Sequence, residues 1–161
     1  MSTANIKANL ADYMAITDLC NRYTDAVNRR DAKDIAAVFA KDGVWDCGGP
    51  NAGPMCFLFT GSEQIGNSIA QMLGAMEVLV QTNHALVIEV HGDRATARST
   101  CEEKGLPKGA KDGMRVMGTY TDEVVRDSDG EWRFAKRTFR FTYIDAPAMN
   151  GQVMATFPAA S

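Results

Sequence analysis

Histidine is nearly missing from this chain of 161 residues; only His84 and His91 occur. Two imidazoles are too few for a histidine-built zinc or iron centre. The four cysteines, Cys20, Cys47, Cys56 and Cys101, form no CxxC pair that would complete one. No metal and no cofactor are therefore expected. Positive charge is not in excess either: 17 basic against 20 acidic residues leave a formal charge of -3. Without a basic field, nucleic acid is not an expected partner. No apolar run approaches the roughly 18 residues that a membrane helix needs, so no membrane partner is expected. The first residues include acidic side chains and no continuous apolar block, unlike a signal peptide. A cytoplasmic location with reduced thiols is the expectation that follows. A phosphate loop and a dinucleotide fingerprint are absent as well. The segment GGPNAG, 48–53, lacks the strand–glycine–helix context of those motifs, and no serine sits in a nucleophile elbow.

What is present is ordinary globular composition, with 45% hydrophobic and 23% charged residues. The length suits one domain over 1–161. From Asp12 to Asn28, apolar residues recur at Ile16, Leu19, Cys20, Tyr23 and Val27, one face of a helix. Asp31 is placed to cap a short second helix. A brief strand at 44–46 leads into a Gly/Pro-rich loop, 47–56, and a second brief strand follows at 57–59. Thr60 or Ser62 is the expected cap of a third helix reaching about Met76. Beyond it the period becomes two, with strands at 81–91, 94–103, 114–126 and 131–144. Segments 105–113 and 127–130 are read as a loop and a turn.

The last strand changes parity. Trp132 and Phe134 share one face, whereas Phe139, Phe141 and Tyr143 fall on the other. A β-bulge near 136–138 would return both sets to one face and bend the strand. The expected fold class is α+β: a curved antiparallel sheet, a cone-shaped half barrel, wrapped over N-terminal helices around an apolar pocket. Such a pocket suits a small apolar or aromatic substrate. The nine methionines include Met14, Met55, Met72, Met76, Met114 and Met117; most are read as core, and a few near the mouth would adapt to a bulky apolar or aromatic substrate.

Several segments, in this order, carry a resemblance to a known group. They are Ile16-Thr17-Asp18-Leu19 with Arg22-Tyr23, Asn28-Arg29-Arg30-Asp31, and Phe39 with Asp42-Gly43. Thr82-Asn83-His84 and Asp129-Gly130-Glu131-Trp132-Arg133-Phe134 with Lys136-Arg137 complete the set. The chain resembles the SnoaL-like branch of the nuclear-transport-factor-2-like superfamily, which has the ketosteroid-isomerase and scytalone-dehydratase fold. Within that branch it resembles cofactor-free lyases: scytalone dehydratase, hexachlorocyclohexane dehydrochlorinase and bile-acid 7α-dehydratase. The resemblance implies His84 as general base, with Arg137 and Tyr23 stabilising the oxygen or leaving group. The position of the aspartate that orients the base falls on Asn28, a departure from the pattern. Asp25, one turn earlier, is the candidate replacement carboxylate.

The implied activity is elimination from a hydroxylated aromatic or alicyclic compound, by dehydration or by retro-aldol deformylation, in aromatic-compound catabolism. The alternatives are a proton-transfer isomerase, a non-catalytic binding module favoured by Asn28, and a structural subunit of the ring-hydroxylating dioxygenase type. The resemblance also implies a homo-oligomer, trimer before dimer, built through the sheet and an apolar tail from Ala146 that includes Met149, Met154, Phe157 and Pro158.

Overall fold

The computed structural model describes residues 9–49 and 53–154. Phe157 and Pro158 of the tail lie outside the described residues. Helix α1 (Leu10–Arg29) buries Ile16, Leu19, Cys20, Tyr23, Ala26 and Val27, the stripe that its sequence spacing predicts. It ends at Arg30, whose left-handed backbone (φ 61°) returns its N–H to the helix. The Asp31 side chain then accepts from the Asp34 N–H at 3.0 Å and starts α2 (Ala32–Ala37). Strand β1 (Phe39–Cys47), a single turn at Gly53–Met55 and strand β2 (Phe57–Thr60) follow. Helix α3 spans Ser62–Gly74. Neither Thr60 nor Ser62 caps it. Gly61 holds the N-cap position at φ 93°, and its carbonyl accepts from the Ile65 N–H.

The remaining chain is a meander of long strands: β3 (Met76–His91), β4 (Arg94–Pro107), β5 (Met114–Arg126) and β6 (Trp132–Asp145). Strand β3 begins five residues before the expected start, and β4 runs four residues past its expected end. At the extended end Gly105 lies opposite Leu79; a Cβ there would come within 2.8 Å of the Val78 carbonyl. The sheet has six strands in the order β2-β1-β6-β5-β4-β3. Pairing is antiparallel except between β1 and β6, which run parallel, so the sheet is mixed rather than wholly antiparallel. It is not closed. It curves over the helices as a half barrel, with β3 at one edge.

Bulges produce the curvature. Opposite Glu123 and Val124 on β5, strand β6 skips from Lys136 to Phe134. That extra residue puts Trp132, Phe134, Arg137 and Phe139 on one buried face, as the parity change in the sequence requires. A second skip, from Tyr143 to Phe141 opposite Met117 and Gly118, turns Tyr143 outward, against the expectation that it shares the face of Phe139. Among the described residues no helix is long and apolar enough to cross a membrane.

Candidate functional site

The sheet and the helices enclose a cavity of about 240 Å3. Most of its wall is aromatic or sulfur-bearing. Phe57, Phe139 and Phe141 line it together with Met55, Met72, Met76 and Met114. Gly118 leaves room for this packing, since a Cβ there would clash with the Phe139 ring. Met14 and Met117, in contrast, are exposed.

Five side chains give this wall its polarity: Tyr23, Trp45, Gln81, Glu103 and Tyr120. The Gln81 amide nitrogen donates to Glu103 Oε1 at 2.7 Å and to the Tyr120 hydroxyl at 3.3 Å. The Tyr23 hydroxyl lies beside Tyr120 and Trp45. Among the described residues the Gln81 Oε1 acceptor is buried without a hydrogen-bond partner, and the buried Trp45 Nε1 donor has only the Tyr23 hydroxyl beside it, short of good hydrogen-bond geometry. Among the described residues, Glu103 is the one ionisable carboxyl lining the cavity. Burial among apolar side chains raises its pKa above the ordinary range, and the Gln81 hydrogen bond opposes that shift without cancelling it. Burial likewise pushes up the phenols of Tyr23 and Tyr120, so both remain protonated donors. The Cys47 thiol also lines the cavity, but burial pushes it up to about 12, which removes it as a thiolate nucleophile. The cluster can therefore move one proton through a carboxyl and donate hydrogen bonds to an oxygen.

Of the five candidate catalytic residues, His84, Asn28, Tyr23, Arg137 and Asp25, Tyr23 alone lines this cavity. His84 does not enter it; the residue is exposed beside a small separate recess of about 100 Å3 between α1 and β3. It lies off the buried face of Ile88 and Val90, although strict alternation would put it there, because β3 bulges between His84 and Val87, where Ala85 takes φ 52°. The bulge reverses the parity, so before it the inward positions are Leu79 and Gln81. His91 is exposed.

Asn28 has a backbone role. Its Nδ2 donates to the Gln81 carbonyl at 3.0 Å, and its Oδ1 accepts from the Gln81 N–H at 2.7 Å. It thus pairs with the free edge of β3 as a neighbouring strand would. It makes no contact that orients His84. Asp25 does not reach the cavity. It faces solvent and pairs with Arg29 at 2.9 Å.

Arg137 is fully buried but lies behind the cavity wall. Its guanidinium carbon stands 3.8 Å from the Tyr120 ring centre, 4.2 Å from Tyr23 and 4.4 Å from Phe134. Its partner is Asp122, at 3.5 Å and equally buried. Burial pushes the Asp122 carboxyl up to about 6 against the pull of Arg137. Behind the two phenols, Arg137 draws their pKa values back down and so sharpens them as donors.

Glu103, Gln81, Trp45 and Tyr120 were not singled out from the sequence. For Glu103 a signal existed: it has the parity of Ala97, Ser99 and Cys101, which places a carboxylate on the buried face of β4.

With this geometry in view, the chain can be set beside known proteins. Residues 8–138 match the model of the family described as SnoaL-like domain. An uncharacterized protein of Mycobacterium tuberculosis is 27% identical over 134 residues, covering 81% of this chain and 85% of that one. Among solved structures, a putative scytalone dehydratase from Novosphingobium aromaticivorans superposes with a TM-score of 0.74 at 23% identity, over 94% of this chain and 95% of that one. Hexachlorocyclohexane dehydrochlorinase LinA-type3 from Novosphingobium barchaimii gives 0.78 at 21% identity, over 91% and 97%. At these identities the likeness is one of fold.

Proposed function

The chain belongs to the SnoaL-like domain family, and on that premise we propose that it is a cofactor-independent lyase in which Glu103 moves the proton. The observation that carries the reading is a single carboxyl with a raised pKa, held by Gln81 in an aromatic cavity beside two protonated phenols. Named neighbours of this fold, a putative scytalone dehydratase and a dehydrochlorinase, support an elimination.

In the proposed reaction the substrate is a small hydroxylated ring compound. The Glu103 carboxylate takes a proton from carbon next to an oxygen-bearing carbon. Negative charge develops on that oxygen, and the hydroxyls of Tyr23 and Tyr120 donate to it. The neighbouring C–O bond breaks, a C=C bond forms, and the hydroxyl leaves with the proton as water. A raised carboxyl pKa makes Glu103 a stronger base than a solvated glutamate. His84 and Asp25 take no part, and Arg137 acts on the phenols from behind.

The test is turnover of uncharged hydroxylated ring ketones, followed by the absorbance of the new conjugated double bond and by mass loss of water. Glu103→Gln keeps the shape and the Gln81 contact but cannot accept a proton. It is expected to lose about a hundredfold or more in rate. Unchanged turnover in that variant would overturn the assignment. A second reading, ligand holding without chemistry, is favoured by the lack of any imidazole in the cavity wall; it predicts retained ligand and no product.

A further inference from the structure

The cavity wall joins one carboxylate to a run of aromatic rings and holds nothing basic. We infer that this cavity binds a protonated amine carried on one or two fused rings, with its N–H groups on the Glu103 carboxylate and its charge against the faces of the aromatic wall. The inference goes beyond the lyase reading. It shares that cavity but needs no chemistry, and it makes such an amine an inhibitor of any turnover there.

Glu103 can reach a ligand. It stands on the inner face of β4, lines the cavity and is only part-buried, so the surface it keeps opens on the cavity. Gln81 is its one hydrogen-bond donor among the described residues, and it holds Oε1 at 2.7 Å. Oε2 is left for a ligand. Among the described residues no lysine, arginine or histidine lines the cavity. Arg137 lies behind the wall, paired with Asp122 at 3.5 Å. A carboxylate held among apolar groups without a cation is unfavourable, and an entering cation offsets that cost.

The rings supply the rest of the site. Tyr23, Tyr120, Phe139 and Phe141 line the cavity as one run, with successive ring centres 5.9, 4.9 and 5.1 Å apart. Gln81 Nε2 bridges the Glu103 carboxylate and the Tyr120 hydroxyl, so carboxylate and rings share one wall. The negative faces of such rings attract a desolvated cation. A metal ion does not fit this wall. Hard cations take about six to eight oxygen ligands, and among the described residues no group of three or more His, Cys, Asp or Glu is placed to hold one. An anion would meet Glu103 with nothing to pair its charge. The volume of about 240 Å3 suits one or two small fused rings.

Binding is linked to protons. The cation pairs with the ionised carboxylate, and burial raises the Glu103 pKa. Affinity therefore rises as pH rises through that pKa, and below it binding releases a proton. The other titratable groups facing Glu103 are the phenols of Tyr23 and Tyr120 and the thiols of Cys47 and Cys101. Burial pushes all four up, so they stay neutral at neutral pH. Glu102 and Lys104 pair with each other at 3.1 Å. Asp122, pushed up to about 6, titrates behind the wall, and a Glu103 variant separates its effect.

The probes are 2-aminoindane, its uncharged counterpart 2-indanol, and indane-2-carboxylate. None carries both a carbonyl and a hydroxyl, so binding is read apart from the proposed elimination. They are titrated by calorimetry against the full chain and Glu103→Gln between about pH 5 and 8. At the upper end 2-aminoindane is expected to bind about tenfold or more tighter than 2-indanol, and the carboxylate weakest of the three. In Glu103→Gln the preference for amine over alcohol should fall to about threefold or less and lose its pH dependence. If that variant does not fold, the wild type decides: amine affinity rises with pH while alcohol affinity stays flat. Equal affinity for amine and alcohol, a preference that Glu103→Gln leaves intact, or an amine affinity indifferent to pH would overturn the inference. Amine binding without turnover of any hydroxylated ketone would sink the lyase reading and leave this one standing. Turnover that depends on Glu103, with no preference for the amine, would do the reverse.

Discussion

Replacing Asn28 by aspartate separates a backbone role from a catalytic one. If Asn28 occupied the orienting position of a histidine–carboxylate pair, Asn28→Asp would restore the missing charge and raise activity. The structure requires the opposite. Asn28 faces the edge of β3 with one donor and one acceptor, at 3.0 Å from the Gln81 carbonyl and 2.7 Å from the Gln81 N–H. Aspartate keeps the acceptor but sets a second carboxylate oxygen against the carbonyl. One hydrogen bond is lost and a part-buried carbonyl is left unpaired, which together cost about 1–3 kcal/mol. For a chain of this length that corresponds to a fall in Tm of roughly 3–10 °C. The cost should shrink in acid. A protonated aspartate can donate to the carbonyl, so the folded state raises the carboxyl pKa, and stability falls as pH rises through it. Thermal unfolding of Asn28→Asp and wild type between pH 4 and 8 reads both effects. Equal Tm values across that range, or a gain in activity, would refute the edge-pairing account.

Other outcomes follow from the same geometry. Arg137→Met should destabilise the fold by about 3–5 kcal/mol, because Asp122 is left buried without its partner. The double variant with Asp122→Leu should recover part of that loss; denaturant titration of all three decides it. The acid limb of kcat/KM should lie above the ordinary carboxylate range, because burial raises the Glu103 pKa and the base works only when ionised. A limb at or below a pH of about 4.5 would contradict this. The same raised pKa means that folding loses stability as pH rises through it, so Glu103→Gln should gain Tm relative to wild type as pH goes from acid to neutral. The outward-facing Met117, Tyr143 and Ile144 are expected to be covered in a homo-oligomer, a trimer by light scattering. A monomer would contradict that expectation.

The helical half of the fold was legible because period 3.6 is local: Ile16, Leu19, Cys20, Tyr23 and Val27 are all buried as their spacing requires. The bulge in β6 was legible because it leaves large aromatics out of phase. The bulge in β3 left no such trace, since Ala85 and Leu86 look like ordinary strand residues. It reversed the parity and moved the cavity position from His84 to Gln81. The second bulge in β6 misplaced Tyr143 in the same way. The parallel pairing of β1 with β6 brings Trp45 beside Arg137 across more than ninety residues, and no periodicity within either strand encodes that contact. Glu103 was legible in principle, as a carboxylate in step with Ala97, Ser99 and Cys101. It is masked because it stands at the last position of the expected strand, where alternation gives way to loop.

The most direct measurement is a side-by-side rate comparison of wild type, Glu103→Gln and His84→Ala on the same hydroxylated ring ketone. The account predicts that Glu103→Gln loses about a hundredfold or more while His84→Ala stays within about twofold of wild type, as an exposed residue outside the cavity should. Loss of turnover in His84→Ala with Glu103→Gln unaffected would contradict the assignment of the proton to Glu103.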